Sequence, residues 1–261
     1  MVLVKSQSSK PETKPGKLFF LSPRSRPNLR IKVKDMKTTL VFALCTLMAL
    51  VFFSCVPEEA SIDGMPLDGF MPLFDGQSLE NWKPLADGQG EGGQWIVADN
   101  IIVGEQGPNR EGGILITQAV YSDYEVYAEI KADYPIDSGL FLRIQPDLLS
   151  YQVTIDYRPD GEVGGIYSPG GGGFLVHTPD GKDLWKAGEF NAVRARILGQ
   201  PPHIEAWING TKVVDFQDSL VKEQVRVPNE GAVGIQVHPG GNFEKGNRVF
   251  CRKILMKNLK D

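Results

Sequence analysis

From Gly69 onward the chain alternates apolar and polar residues in short runs separated by turn formers, as half-buried β-strands do. Such runs occupy 95–97, 101–103, 124–130, 139–143, 151–156, 192–197, 203–208, 211–216, 232–238 and 249–256. Asp99-Asn100, Pro159-Asp160-Gly161, Pro179-Asp180-Gly181 and Asn209-Gly210 lie between them as turn signals. Asn209-Gly210 is the strongest, because both residues tolerate the positive φ of a type I′ hairpin turn. No stretch past Cys55 keeps a helical apolar period, although 219–224 could form one turn of helix. So many short strands in a domain of this length predict an all-β protein, a β-sandwich or jelly roll.

A period of two also sorts side chains onto faces. Leu140 and Leu142 share the apolar side of their strand, leaving Phe141 and Arg143 opposite. Val153 and Ile155 oppose Gln152, Thr154 and Asp156, and Val233, Ile235 and Val237 oppose Gln236 and His238. Val126, Ala128 and Ile130 point inward, with Tyr127 and Glu129 outward. If these strands are neighbours, Arg143, Gln152, Asp156, Gln236 and His238, together with Glu129, form one polar patch. A solvated sheet face, which every sandwich has, is the alternative for each of them. Two features speak for a site: the set favours Arg, Gln, His and aromatics over Lys, Glu and Thr, and Gly-rich segments are expected at the strand ends. Those segments are Gly164-Gly165, 170–173 and Gly240-Gly241, placed to form cleft rims.

Toward the N-terminus the pattern changes. Residues 1–35 are rich in Lys, Arg, Ser and Pro, lack aliphatic periodicity and cannot build a core. Met36-Lys37-Thr38-Thr39 then leads into a nearly continuous apolar run over 40–53, closed by Ser54 and Cys55. A basic start, an apolar run and a small residue at the boundary describe a secretory signal over 36–54. The run is too short for a bilayer span, which takes about 20 apolar residues. Cys55 after Phe52-Phe53-Ser54 resembles the lipobox of bacterial lipoproteins, in a loose Bacteroidetes-like form. The resemblance implies cleavage before Cys55, a lipid on its thiol, and a membrane anchor in the cell envelope, periplasmic or at the outer surface. A plain signal peptide with an incidental cysteine is the alternative. Signals normally begin at the start codon, so Met36 is a better start than Met1, and 1–35 reads as a misplaced gene start or a long basic leader. Residues 55–68 are a polar tether, and 69–261 the globular domain.

Removing the leader sharpens the charge. Residues 1–54 hold 10 of the 28 basic and 2 of the 32 acidic residues, so the remainder carries 18 against 30, a net charge of −12. So acidic a domain does not suit nucleic acid, whose phosphates demand a basic face. With Cys45 in the signal and Cys55 acylated, Cys251 stands alone between apolar neighbours, a buried strand thiol with no internal disulfide partner.

Seven short motifs resemble, in order, those of one family. Phe74-Asp75-Gly76 with Leu79 and Trp82 opens the set. Ser138-Gly139-Leu140-Phe141-Leu142-Arg143, Tyr151-Gln152-Val153-Thr154-Ile155-Asp156 and Gly164-Gly165-Ile166-Tyr167 follow. Gly188-Glu189-Phe190-Asn191, Trp207-Ile208-Asn209-Gly210 and the run from Gly231 through Gln236 to His238 complete it. The family is the 3-keto-disaccharide hydrolases, or 3-keto-glycoside lyase/hydratases, and the likeness runs from Gly69 to Leu259. It implies a concanavalin A-like jelly roll of two antiparallel sheets. Phe190 stands where Trp is usual, Asp137 where Asn often precedes Ser-Gly, and Gln152 where another branch has Glu.

The implied substrate is an oligosaccharide or glycoside already oxidised at C3, which implies in turn a partner sugar 3-oxidoreductase. The ketone acidifies the C2 proton; a base removes it, the C1 substituent leaves by β-elimination, and water adds to the enone. On this reading Asp156 or His238 acts as base and acid, and Arg143 is the cation beside the enolate. Gln152 and Gln236 bind sugar hydroxyls, with Glu129 at the patch, and Tyr167 or Phe141 is the stacking surface. A structural histidine and an Arg143–Asp156 ion pair are the alternatives. No cofactor is called for, and a divalent cation stays open. An ordinary jelly-roll glucanase would carry a cluster of carboxylates in register, which Glu125 and Glu129 do not supply. His177, His203 and His238 lack zinc spacing, and the glycines at 170–173 lead into Phe174, not the Lys-Ser/Thr of a phosphate loop. The competing class is a non-catalytic glycan-binding lipoprotein, with Trp82, Trp95, Trp185 and Trp207 as stacking or core residues.

Overall fold

Turn-forming glycines and asparagines punctuate β-branched runs often enough to cut the chain into many strands. The computed structural model describes residues 61–62, 65–66, 68–86, 92–219, 227–240 and 247–260. The leader, the signal, Cys55 and most of the tether lie outside them, as do Gly241 and all but Ser219 of the expected turn of helix at 219–224. In chain order the strands are β1 (Ser61–Ile62), β2 (Met65–Pro66), β3 (Met71–Pro72), β4 (Trp82–Pro84), β5 (Gln94–Ala98) and β6 (Ile101–Glu105). Next come β7 (Gly113–Thr117), β8 (Tyr124–Ala132), β9 (Ser138–Ile144), β10 (Tyr151–Ile155), β11 (Val163–Ser168) and β12 (Gly173–Val176). A 3₁₀ turn (Gly181–Leu184) precedes β13 (Asn191–Leu198), β14 (His203–Ile208), β15 (Thr211–Gln217), β16 (Ala232–Val237) and β17 (Arg248–Asn258).

Two antiparallel sheets face each other, so the predicted jelly-roll sandwich is what forms. The front sheet runs β12-β11-β10-β9-β16-β7-β4, and the back sheet β15-β14-β13-β8-β17-β6-β5, with β3 on β17. Leu140, Leu142, Val153, Ile155, Ile166, Val233 and Ile235 of the front sheet pack against Val126, Ala128, Ile130, Val193, Ile204 and Cys251 of the back sheet. Each is essentially shut off from water, and each fully buried aliphatic side chain contributes about 1.5–3 kcal/mol. Cys251 is a free, buried thiol, as its neighbours imply. Asn209 adopts φ 48° and Gly210 φ 81°, the geometry expected of the tight β14–β15 turn. No described helix is long and apolar enough to cross a membrane.

Two bulges shift the alternation. Leu142 and Arg143 together oppose a single residue of β16, because Phe141 pairs Gly234 while Ile144 pairs Ala232. Arg143 takes φ 52°, so Ile144, not Arg143, shares the outer face with Phe141. In β11, Gly164 (φ 87°) adds a residue between the Val163–Ile155 and Ile166–Val153 pairs. That puts Gly165 and Tyr167 on the outer face. There a second apolar group forms beneath the cleft, from Leu85, Ile114, Ile116, Phe141, Ile144 and Ala232.

Candidate active site

Three adjacent front-sheet strands meet a side chain of their outer face one residue beyond their ends. Asp156 follows β10, Asp137 precedes β9 and His238 follows β16. Ile155 pairs Ser138, so the two aspartates are neighbours. The His238 N–H donates to the Asp137 carbonyl at 3.3 Å, which sets the histidine beside them. His238 Nε2 lies 3.9 Å from Asp137 Oδ2. This acid–acid–histidine row forms one end of a cavity of about 600 Å³, within the usual range for small-molecule sites.

The floor is polar because two glycines leave room for long side chains to lie flat. A Cβ at Gly139 would sit 2.2 Å from Gln152 Nε2, and one at Gly165 would sit 2.7 Å from Glu162 Oε1. Gln152 therefore crosses β9 and donates to Gln236 Oε1 at 3.0 Å. That bond uses the Gln236 oxygen and leaves its NH₂ to donate. Ser138 Oγ holds the backbone of Gln236 at 2.8 Å, and Gln106 Nε2 holds the carbonyl of His238 at 2.8 Å.

Asp156 accepts from Arg158 three times, from its backbone N–H at 3.1 Å, from Nε at 2.7 Å and from a terminal nitrogen at 2.6 Å. The same guanidinium lies 3.7 Å from Asp137. Burial, with the charge of Asp156 adding to it, pushes the Asp137 carboxyl up to about 7, against the weaker pull of Arg158. Burial moves His238 the other way, below its ordinary value. Its Nδ1 sits against the Pro239 carbonyl, an acceptor only, so the ring proton is on Nδ1 and Nε2 is the basic nitrogen. A carboxyl able to hold a proton near neutrality thus faces a neutral imidazole across the end of one cavity.

At the other end the wall is aromatic. Tyr167 and Phe174 meet edge to face at 5.2 Å, and Phe174 stacks on His177 at 4.7 Å. His177 Nδ1 is tied to Glu162 at 2.8 Å. Phe141 and Leu148 also line the cavity.

The cavity gathers six of the eight residues expected in the site: Phe141, Gln152, Asp156, Tyr167, Gln236 and His238. Two are elsewhere. Arg143 is wholly buried; the bulge turns it to the end of the sandwich, where it donates to Ser122 O at 2.8 Å, Gly199 O at 3.0 Å and Asp123 at 2.9 Å. Neither a patch residue nor a partner of Asp156, it is a clamp between loops. Glu129 lies in β8, a back-sheet strand, and pairs with Arg252 and Lys253 at 2.6 Å each. The cation near the aspartates is Arg158. Asp137, Glu162, Phe174 and His177 were not expected in the site. Asp137 could have been found by carrying the alternation of Phe141 and Gly139 one step back. Gly164-Gly165, expected as a loop, is inside β11, whereas Gly170 does line the rim. None of the four tryptophans lines the cavity: Trp82 and Trp185 are core, Trp95 packs against it, and Trp207 stacks under Arg194 at 4.4 Å on the back sheet. Among the described residues no group of three or more His, Cys, Asp or Glu is arranged to hold a metal ion.

Comparison with known proteins bears on the family and the fold. The sequence matches the family profile described as a 3-keto-alpha-glucoside-1,2-lyase-like domain over residues 69–257. No curated protein matches. Among solved structures, a candidate glycosyl hydrolase from Parabacteroides distasonis ATCC 8503 superposes with a TM-score of 0.53 at 20% identity, over 74% of this chain and 94% of that one. A Bacillus subtilis protein of unknown function with a galectin-like fold gives 0.53 at 12% identity, over 72% and 94%. The Crh5 transglycosylase in complex with NAG gives 0.50 at 11% identity, over 74% and 85%. At these identities the likeness is one of fold.

Proposed function

Because the chain belongs to the 3-keto-α-glucoside-1,2-lyase-like family, we propose that it cleaves 3-keto-glycosides by elimination followed by hydration. The observation that carries this is the pairing of Asp137, raised toward neutrality, with a neutral His238 at one end of the cavity. Oppositely displaced titrations are what acid–base catalysis at neutral pH requires. His238 Nε2 takes the C2 proton, and the protonated carboxyl of Asp137 delivers a proton to the departing C1 oxygen. The Gln236 NH₂, oriented by Gln152, donates to the enolate oxygen at C3. Asp156 and Arg158 hold the row in place. Water then adds at C1 as C2 is reprotonated, so the net change is hydrolysis.

The route leaves a label. In D₂O the released 3-keto sugar carries deuterium at C2 beyond an enzyme-free control, whereas direct hydrolysis retains protium there. His238→Ala lowers kcat by about 10²-fold or more, the usual contribution of a positioned base. Turnover without C2 labelling, or undiminished turnover in this variant, overturns the mechanism. A purely glycan-binding module predicts binding with no product and gives no reason for the Asp137–His238 pairing.

We further propose that the enzyme works in the cell envelope, tethered by a lipid on Cys55, and receives its substrate from a sugar 3-oxidoreductase. Expression with a radiolabelled fatty acid should label the wild-type protein and leave Cys55→Ala unlabelled. Equal labelling of both excludes this anchor.

A further inference from the structure

His238 can take a proton at Nε2 only while its own ring proton stays on Nδ1, and that depends on where the Pro239 carbonyl points. A neighbouring charge pulls the other way. Asp137 Oδ2 lies 3.9 Å from Nε2, and above about pH 7, once this carboxyl ionises, it draws the ring proton toward Nε2. Asp156 and Arg158, the other charged groups acting on the ring, oppose each other. The Pro239 carbonyl is therefore what keeps the lone pair on Nε2.

Two hydrogen bonds hold that carbonyl, one on each side of a residue whose φ is fixed by its own ring. The peptide after Pro239 is tied by the Gly240 N–H, which donates to Arg110 O at 3.2 Å. The peptide before it has no N–H, because residue 239 is proline, so the His238 carbonyl is its whole hydrogen-bonding capacity. That carbonyl accepts from Gln106 Nε2 at 2.8 Å. Gly112 packs flush against the same peptide, since a Cβ there would sit 2.2 Å from Pro239 N.

Gln106 follows β6 of the back sheet, is only 3% exposed and does not line the cavity. A carbonyl needs a donor, so the amide nitrogen faces His238 and Oε1 turns away. Among the described residues Oε1 has no hydrogen-bond partner. A buried acceptor left in that state costs stability. An apolar side chain would avoid this cost, but it could not hold the His238 carbonyl.

We infer that Gln106 is a positioning residue, setting the tautomer of His238 from the opposite sheet through the two peptides that flank Pro239. Its effect on turnover rests on His238 being the base; its effect on the tautomer does not.

The test reads the ring directly. The chain has three histidines, so ¹⁵N-histidine labelling gives few signals, and His238→Ala assigns the relevant pair. At pH 8 the wild type should show the protonated-nitrogen shift on Nδ1 and the lone-pair shift on Nε2. Gln106→Met keeps the length and removes the donor, and should show a mixture or the reverse. With 3-keto methyl glucoside its kcat should fall about 10-fold at nearly constant KM, less than losing the base outright. The acid limb of the pH–rate profile should move to lower pH, because the Pro239 carbonyl also stabilises the imidazolium. A merely structural role would lower the amount of active protein and leave both limb and tautomer unmoved. A wild-type protein with its His238 proton on Nε2 overturns the inference without any variant having to fold. An unchanged Nδ1 proton in Gln106→Met overturns it as well. A displaced tautomer with undiminished turnover supports the hold of Gln106 on the ring and rejects His238 as the base.

Discussion

Asp137→Asn should lower kcat by about 10²-fold or more while making the protein more stable at alkaline pH. The two effects share one cause. Burial and the neighbouring Asp156 raise the Asp137 carboxyl to about 7, so its folded value lies above its unfolded one. Such a group contributes stability that is fully present below the unfolded value near 3.8 and is lost as pH rises through about 7. At pH 8 the folded protein bears an ionised carboxylate in a site that disfavours it. The amide removes that burden, which is worth on the order of 2 kcal/mol at pH 8 and much less at pH 4. The wild-type kcat/KM should fall as His238 is protonated on the acid side and as Asp137 ionises near 7 on the other. The variant should lose the alkaline limb. Thermal melts at pH 4 and 8, with a pH–rate profile, check all three statements. A variant with full activity, or one whose alkaline limb is unmoved, assigns the acid elsewhere.

Arg143→Ala should be the most destabilising single substitution among the polar residues named above. It leaves the Asp123 carboxylate and the carbonyls of Ser122 and Gly199 without their charged donor. Removing one partner from a buried ionic cluster costs about 3–5 kcal/mol, a fall in Tm of roughly 10 °C for a domain of this size. Chemical denaturation of wild type and variant measures it. Because Arg143 does not face the cavity, activity per folded molecule should fall far less than stability does. A stable variant with abolished turnover would instead return Arg143 to the chemistry.

These two residues mark where the sequence was informative and where it was not. Regular alternation carried Gln152, Asp156, Gln236 and His238 to the correct face, because β10 and β16 run without a shift at those positions. At Arg143 the same rule failed, since a bulge inserts a residue and reverses the phase, and only the pairing partner reveals it. Glu129 was sorted correctly to the outside of its strand but belongs to the other sheet; periodicity says nothing of which strands are neighbours. The strand Gly113–Thr117 passed unnoticed because it is buried on both faces and does not alternate. The β11–β12 hairpin was hidden by its glycines, and with it Glu162, Phe174 and His177. The family motifs recovered the fold without these details, since they mark turns and pairings distributed along the whole domain.

The glycines under the cleft also change how this protein should be probed. Deleting side chains to alanine ordinarily subtracts atoms, but at Gly139 and Gly161 the same substitution adds one, against the Gln152 amide and the Asp156 carboxylate respectively. A routine scan would therefore credit both positions with catalytic weight, although neither has a functional group. Their contribution is vacancy, and libraries that aim to reshape the cavity should hold them fixed while varying the residues that occupy the space they leave.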